Sequence, residues 1–155
     1  METALITAGG NSVTIMSTLL TEVGGKHNES VLALEREILQ YPQVEPETKH
    51  YFAHGTYTRE MLIPKGLVLT GKMHKNSCIN ILSAGKMLIF TDEGSREISA
   101  PHTFVSSPVL KKAGYALEDC VFINVFPWDG VKTVEQLEDE LVIPGNQAAG
   151  LLESF

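Results

Sequence analysis

Apolar and polar residues alternate along the middle of the chain, between residues 50 and 127, with the period of two that is typical of β-strands. The clearest case is Thr56–Ile63, where every second residue from Tyr57 onward falls on one face. Further strands, separated by turn residues, are predicted at Leu67–His74, Ser77–Ser83, Lys86–Thr91, Arg96–Ala100, Thr103–Ser107 and Cys120–Phe126. Short strands at this close spacing favour a mainly β sandwich or barrel.

Helical patterns flank this β-rich region on both sides. Residues 29–40 carry an apolar stripe of helical period, which predicts a helix that Pro42 ends. Thr133 and Gln136 form a capping box, the usual start signal of a helix, and predict a closing helix over residues 133–142. The chain therefore combines a central β domain with one helix before it and one after it.

These patterns divide the chain into four zones. Residues 1–28 are rich in Gly, Ser, Thr and Asn, which predicts a flexible N-terminal arm with a short strand at Ser12–Met16. A helix and connector follow at 29–49, then the barrel with its closing helix at 50–142. A C-terminal tail occupies 143–155.

Composition narrows the classes of function. The chain has 155 residues and a net charge of −7, which argues against a protein that coats nucleic acid. No stretch of about 18 apolar residues is present, so we expect no membrane span. Two cysteines within apolar runs and an N-terminus without a secretory pattern lead us to expect a cytoplasmic protein.

The charge is unevenly distributed along the sequence. Residues 54–115 hold eight basic and four acidic side chains, a net charge of +4, which leaves −11 for the rest of a chain whose total is −7. Either acidic surface helices produce this contrast by chance, or the barrel contains a locally basic site for a polar or anionic ligand.

Short motifs in the middle of the chain resemble those of the cupin superfamily. The first cupin motif is similar to Pro64–Gly66, Thr70–His74, Ser83–Lys86 and Asp92–Gly94, and the second to Ile98–Val105. Tyr51–Glu60 and Gly114–Asp119 resemble short cupin-like proteins of tailed bacteriophages. The resemblance covers about residues 50–140. It implies a cupin-type double-stranded β-helix, a jelly roll with a pocket between its sheets, and a location in the host cytoplasm if the protein is phage-encoded.

The resemblance also implies positions for metal ligands. Metal-dependent cupins hold Fe, Mn, Ni or Zn with two His, one Glu and a third His. The residues at these positions here are Lys72, His74, Cys78 and Ser106, so only His74 matches. We therefore expect no cofactor, with a divalent transition metal on His74 and Cys78 as the alternative.

The inward-facing positions nevertheless describe a pocket. An inward-facing Lys72 is costly to bury without an anion, while His74 and two Asn offer hydrogen bonds and three Phe offer apolar surface. The candidate ligand-binding residues are Tyr57, Arg59, Lys72, His74, Cys78, Asn80, Phe104, Ser106, Phe122, Asn124 and Phe126. In the alternative interpretation these residues are structural and Lys72 reaches water at the barrel rim. Lys111 and Lys112 are expected on a solvated loop, with a loop at the barrel mouth that meets a phosphate as the alternative.

Three classes of function follow, of which the sequence favours the first. A metal-poor cupin-like protein binds, and by one hypothesis sequesters, a small polar or anionic ligand such as a nucleotide-type signal. The alternatives are a metal-dependent isomerase, lyase or dioxygenase, and a structural or assembly protein of a virion. In each case we expect a homodimer or a higher homo-oligomer.

Overall fold

Two five-stranded antiparallel sheets face each other in the computed structural model, which describes residues 2–7, 27–91, 93–145 and 147. The strands are β1 (Glu2–Thr7), β2 (Glu47–Ala53), β3 (Thr56–Ile63), β4 (Leu67–Gly71), β5 (Cys78–Ala84), β6 (Lys86–Thr91), β7 (Gly94–Ser99), β8 (His102–Ser106), β9 (Ala113–Ala116) and β10 (Cys120–Pro127). The helices are α1 (His27–Ile38) and α2 (Val134–Leu141). Sheet A has the strand order β1-β4-β9-β6-β7, and sheet B has the order β2-β3-β10-β5-β8. The expected mainly β architecture, a jelly roll of two facing sheets with two short helices, is confirmed.

The main core lies between the sheets, because strand alternation sends every second side chain inward. In β3 the burial follows this alternation along its whole length, with Tyr57, Arg59, Met61 and Ile63 buried, as the sequence predicts. The core between the sheets is built from Met61, Ile63, Leu67, Leu69, Leu82, Met87, Ile89, Ile98, Ala116 and Cys120.

Each helix covers a different part of the barrel. The apolar stripe of α1 packs on the outer face of sheet A, where Leu34 and its neighbours meet Val68 and Ala113. The stripe of α2 packs over one end of the barrel, where Leu137 and Leu141 meet the side chains of Tyr57, Cys78 and Phe126. No helix among the described residues has the length and the apolar character that crossing a membrane would require.

Three strands are absent from the sequence-based prediction, namely β1, β2 and β9. β2 is an edge strand that pairs with β3, and six of its seven residues are exposed, so it lacks an apolar alternation. β9 consists of Ala, Gly, Tyr and Ala, which have little β-propensity apart from the Tyr, and it nevertheless pairs with both β4 and β6. The predicted strand from Leu67 also ends earlier, at Gly71.

The N-terminal segment contributes a strand. Residues 2–7 pair with β4 and extend sheet A, so this part does not stand apart from the barrel as an arm. The helix expected over 29–40 begins at His27 and ends at Ile38. The short strand predicted at Ser12–Met16 lies outside the described residues.

The start of α2 has the capping box that the sequence predicts. The Thr133 hydroxyl accepts a hydrogen bond from the Gln136 amide at 3.3 Å, and the Gln136 side chain accepts one from the Thr133 amide at 2.9 Å.

We expect Thr133→Ala to lower the free energy of unfolding by about 1 kcal/mol, because an amide at the start of the helix loses its partner. Urea denaturation measures the change. Thr133→Ser keeps the hydroxyl and is the control. An equal loss in both variants would contradict this role of the cap.

Candidate functional site

A cavity opens between the two sheets, next to the point where the chain leaves β4. It encloses about 580 Å³ of space free of protein atoms, counting its open mouth. Most of the lining is apolar. The lining residues are Arg59, Met61, Leu69, Gly71, His74, Met87, Ile89, Phe90, Thr91, Phe104, Lys112, Ala113, Gly114, Phe122 and Asn124.

Two consecutive lysines lead into β9 and point to opposite sides of sheet A. Lys111 points outward and forms an ion pair with Glu35 of α1, with 2.5 Å between Nζ and Oε2. Lys112 points inward, on the same side as the cavity-lining Gly114. The backbone here is held by α1, since Asn28 donates to the Val109 carbonyl and accepts from the Lys111 amide. The helix therefore determines which lysine enters the barrel.

The amine of Lys112 contacts neutral oxygen atoms of sheet B. Its Nζ donates to Asn80 Oδ1 at 2.9 Å and to Ser106 Oγ at 3.3 Å. The Asn124 amide donates to the same Asn80 oxygen at 2.9 Å. The strand register explains this meeting, because Asn80 lies opposite Asn124 on one neighbouring strand and opposite Phe104 on the other. None of the described residues that line the cavity is acidic.

A second cation, Arg59, faces the same cavity from β3. It lies opposite Asn124 in the register and donates from its terminal Nη2 to Asn124 Oδ1 at 3.0 Å. Its exposed fraction is 5%. Burial, and in smaller measure the charge of Arg59, lower the pKa of Lys112 to about 8. Lys112 and Arg59 thus make the cavity electropositive in an otherwise acidic protein.

His74 forms one wall of the cavity and is uncharged at neutral pH. Burial, together with the charges of Lys112 and Arg59, lowers its pKa to about 3. Its ring packs against Phe126 with 5.1 Å between centroids, and its Nε2 is buried without a hydrogen-bond partner. The backbone at His74 is held by the Val109 amide and by a β-bridge to Val142, just after α2.

Aromatic rings provide the apolar side of the cavity. Phe104 and Phe122 face each other with 6.4 Å between centroids. Arg96, on the edge strand β7, places its guanidinium 5.8 Å from the centre of the Phe104 ring. A ligand with a flat or aliphatic body would therefore find apolar surface opposite the two cations.

The structure brings together most of the residues that the sequence proposes for the site. Five of them line the cavity, namely Arg59, His74, Phe104, Phe122 and Asn124. Asn80 and Ser106 form the hydrogen-bonded floor beneath Lys112. The other three aromatic or sulfur-containing candidates, Tyr57, Cys78 and Phe126, pack together under α2 and do not line the cavity.

Lys72 does not enter the cavity, which corrects the sequence-based placement. Strand alternation places Lys72 on the same side of sheet A as Val68 and Thr70. The side chains of those two residues face α1 rather than the barrel interior. The strand ends at Gly71, and Lys72 then pairs with Glu138 of α2, with 2.5 Å between Nζ and Oε1 and a side chain 35% exposed.

The inward cation that sequence reasoning missed is Lys112. The sequence predicts a loop at this lysine, because the four residues after it lack a strand pattern. Alternation extended backward from Ala116 through Gly114 would have placed Lys112 inside the barrel, so the signal was present once β9 was known.

The donor set at the cupin metal positions does not fit a metal ion. The Cys78 thiol is directed at the carbonyl oxygens of Ile79 and Val125, and burial raises its pKa, which disfavours the thiolate that a metal requires. Ser106 is bonded to Asn80 and Lys112, and no three His, Cys, Asp or Glu side chains cluster anywhere in the described ranges.

Comparisons with known proteins concern the fold. No protein-family model matches the chain, and no curated protein matches it. A cupin-2 domain protein from Shewanella frigidimarina is 10% identical, with a TM-score of 0.46 over 60% of this chain and 90% of its own. KdgF from Halomonas sp. is 19% identical, with a TM-score of 0.46 over 56% of this chain and 84% of its own.

A salicylate 1,2-dioxygenase from Pseudaminobacter salicylatoxidans is 13% identical, with a TM-score of 0.48 over 64% of this chain and 31% of its own. These neighbours include one named enzyme, the dioxygenase, and one protein described by its cupin domain alone. The resemblance to bacteriophage proteins stays a prediction. Several of the solved structures to which this chain is similar are described as cupin or cupin-like proteins.

Proposed function

We propose that the protein binds a small organic anion in the barrel cavity without the help of a metal ion. Lys112 and Arg59 hold the anionic group, and the aromatic and aliphatic lining holds the rest of the molecule. The observation that carries this proposal is the Lys112 amine, which enters an apolar cavity and contacts only the neutral oxygens of Asn80 and Ser106 among the described residues.

Burial of this amine supports the presence of an anion. A charged ammonium in an apolar setting loses hydration, and neutral hydrogen bonds offset only part of that loss. An ammonium has three N–H donors, and Asn80 and Ser106 accept from two of them, which leaves one for a ligand. A carboxylate or phosphate oxygen would accept this hydrogen bond and also oppose the charge of Arg59.

The lining restricts the ligand to a compact molecule with one anionic end. Met61, Leu69, Met87 and Ile89 form the apolar wall beside the two aromatic rings. Small carboxylic acids and organic phosphates have this character. A nucleotide-type signal belongs to the class as an organic phosphate, and its sequestration by this protein is one form that the binding function takes.

A ligand panel tests the proposal. We expect small carboxylates and organic phosphates to raise the melting temperature, and Lys112→Met to weaken binding of the best ligand by about 10- to 100-fold in titration calorimetry, as expected for the loss of a hydrogen bond to a charged group.

Lys72→Met is the matched control, since it removes a lysine that pairs with Glu138 of α2 and does not line the cavity. Equal weakening by both substitutions, or no stabilisation by any anion of the panel, would overturn the proposal.

A further inference from the structure

The amine of Lys112 has surroundings that suit a nucleophile as well as an anion anchor. We infer that Lys112 forms a reversible Schiff base with a small 2-oxo acid in the cavity, with Arg59 holding the carboxylate of the same molecule. This inference deepens the proposed function and rests on it, because it names the chemical class of the anion and adds a covalent step.

Comparison of three lysines shows what is particular to Lys112. Lys72 and Lys111 each lie 2.5 Å from a carboxylate oxygen, of Glu138 and of Glu35 respectively. A carboxylate thus occupies each of these two amines, and at Lys111 the hydrogen bond and charge of Glu35 oppose the lowering of the pKa by burial. Lys112 instead contacts an amide oxygen and a hydroxyl oxygen, which accept hydrogen bonds without fixing the positive charge.

The electrostatic surroundings also favour the neutral amine. Burial, with a contribution from the charge of Arg59, lowers the pKa of Lys112 to about 8, so about a tenth of the molecules carry a free lone pair at pH 7. A desolvated lysine beside another cation is a recognised way of activating an amine. Among the residues that the structure describes, the other titratable groups that face it are His74, from the segment after β4, and Cys78, from β5, whose charge opposes the lowering of the Lys112 pKa.

The second cation indicates which carbonyl compound fits. A 2-oxo acid carries its carboxylate on the carbon next to its carbonyl group, so one ligand offers an anion to Arg59 and an electrophilic carbon to Lys112. A chain of hydrogen bonds connects the two cations. Arg59 donates to Asn124, Asn124 donates to Asn80, and Lys112 donates to the same oxygen of Asn80. The apolar lining, including Phe104 and Phe122, then accepts the side chain of the acid.

The chemical step balances without an oxidant or a reductant. The amine lone pair forms a C–N bond to the carbonyl carbon, and the carbonyl oxygen takes up a proton to give a carbinolamine. The C–O bond then breaks and water leaves. In sum, a protonated amine and a ketone yield a protonated imine and one water molecule. Hydrolysis reverses the reaction, so the acid can be released unchanged.

Reductive trapping tests the inference in the whole protein. Pyruvate and sodium cyanoborohydride are added, and peptide mass spectrometry maps the lysines that have gained the reduced adduct. We expect modification at Lys112 at least about tenfold above that at Lys72 or Lys111, since those two amines are paired with carboxylates. Lys112→Arg, which keeps a cation, should abolish the adduct. Site mapping in the unmodified protein needs no variant and therefore does not depend on the folding of one.

Lactate separates this inference from the proposed function. It has the carboxylate of pyruvate but a hydroxyl in place of the carbonyl group, so it can bind but cannot form an imine. If lactate and pyruvate both raise the melting temperature but Lys112 gains no adduct, the Schiff base is wrong and anion binding stands. Adducts spread evenly over all lysines would also overturn the inference. If neither acid stabilises the protein and no adduct forms, both the inference and its anion site fail.

Discussion

Glu35→Gln is expected to lower the free energy of unfolding by about 3 kcal/mol, the lower end of the range for breaking a buried ion pair. Glu35 Oε2 accepts from Lys111 Nζ at 2.5 Å and from the Thr70 hydroxyl at 2.7 Å, between α1 and sheet A. The Lys111 side chain is 5% exposed. The glutamine retains an acceptor oxygen but removes the charge, so a buried ammonium is left without its counter-ion. Urea denaturation at neutral pH measures the effect.

Two further variants separate the ion pair from a general effect of α1. Glu37 lies on the same helix and bonds to Gln40 and Tyr41 at the exposed surface, so Glu37→Gln should change the stability by less than about 0.5 kcal/mol. Glu35→Leu combined with Lys111→Met removes both charges and should recover much of the loss, because two apolar side chains can replace a buried pair. A loss below about 1 kcal/mol in Glu35→Gln would show that the pair contributes little.

This ion pair has a consequence for the cavity. Lys111 and Lys112 are adjacent, and strand alternation requires that when one faces α1 the other faces the barrel. The attraction between Lys111 and Glu35 therefore opposes a slip of one residue that would exchange the two lysines. The ion pair between Lys111 and Glu35 therefore helps to keep the Lys112 amine inside the barrel, because both depend on the same alternation of side chains.

The sequence predicts the strands whose alternation is strong. Thr56–Ile63 and Lys86–Thr91 are found at their predicted bounds, because every second side chain of each is buried. The inward placement of Asn80 and Asn124 follows from the same period, and both lie in the hydrogen-bonded floor of the site. Alternation thus identifies the half of the site that lies on sheet B.

The cation that enters from sheet A could not be predicted in the same way. The point at which β4 ends depends on its pairing with β9, where the amide of Gly71 bonds to the Lys112 carbonyl at 2.9 Å. β9 has few β-forming residues, and pairing on both sides holds it in the sheet. The uneven charge of the sequence does not show which cation faces the cavity, because strand phase decides that Lys112 rather than Lys72 does so.

The second large effect is expected in acid, where His74 should destabilise the folded protein. Burial and the charges of Lys112 and Arg59 lower its pKa to about 3 in the folded state, against about 6.5 in the unfolded chain, and only Glu138 opposes this among the described residues near it. Between these two values the unfolded chain binds a proton that the folded protein does not. The stability that the neutral ring contributes is therefore complete above pH 6.5 and is lost as the pH falls toward 3.

The expected loss is about 1.4 kcal/mol for each pH unit in that window, or about 3 kcal/mol at pH 4 relative to neutral pH. Urea denaturation of the unmodified protein and of His74→Gln over this range isolates the contribution, because both proteins share the same carboxylates. The variant should show a shallower dependence on pH, by up to one proton. His54→Gln, at an exposed turn, should keep the steep dependence. Parallel curves for the unmodified protein and His74→Gln would mean that His74 is protonated as readily in the fold as in the unfolded chain. The two cations would then not make the cavity electropositive enough to attract an anion.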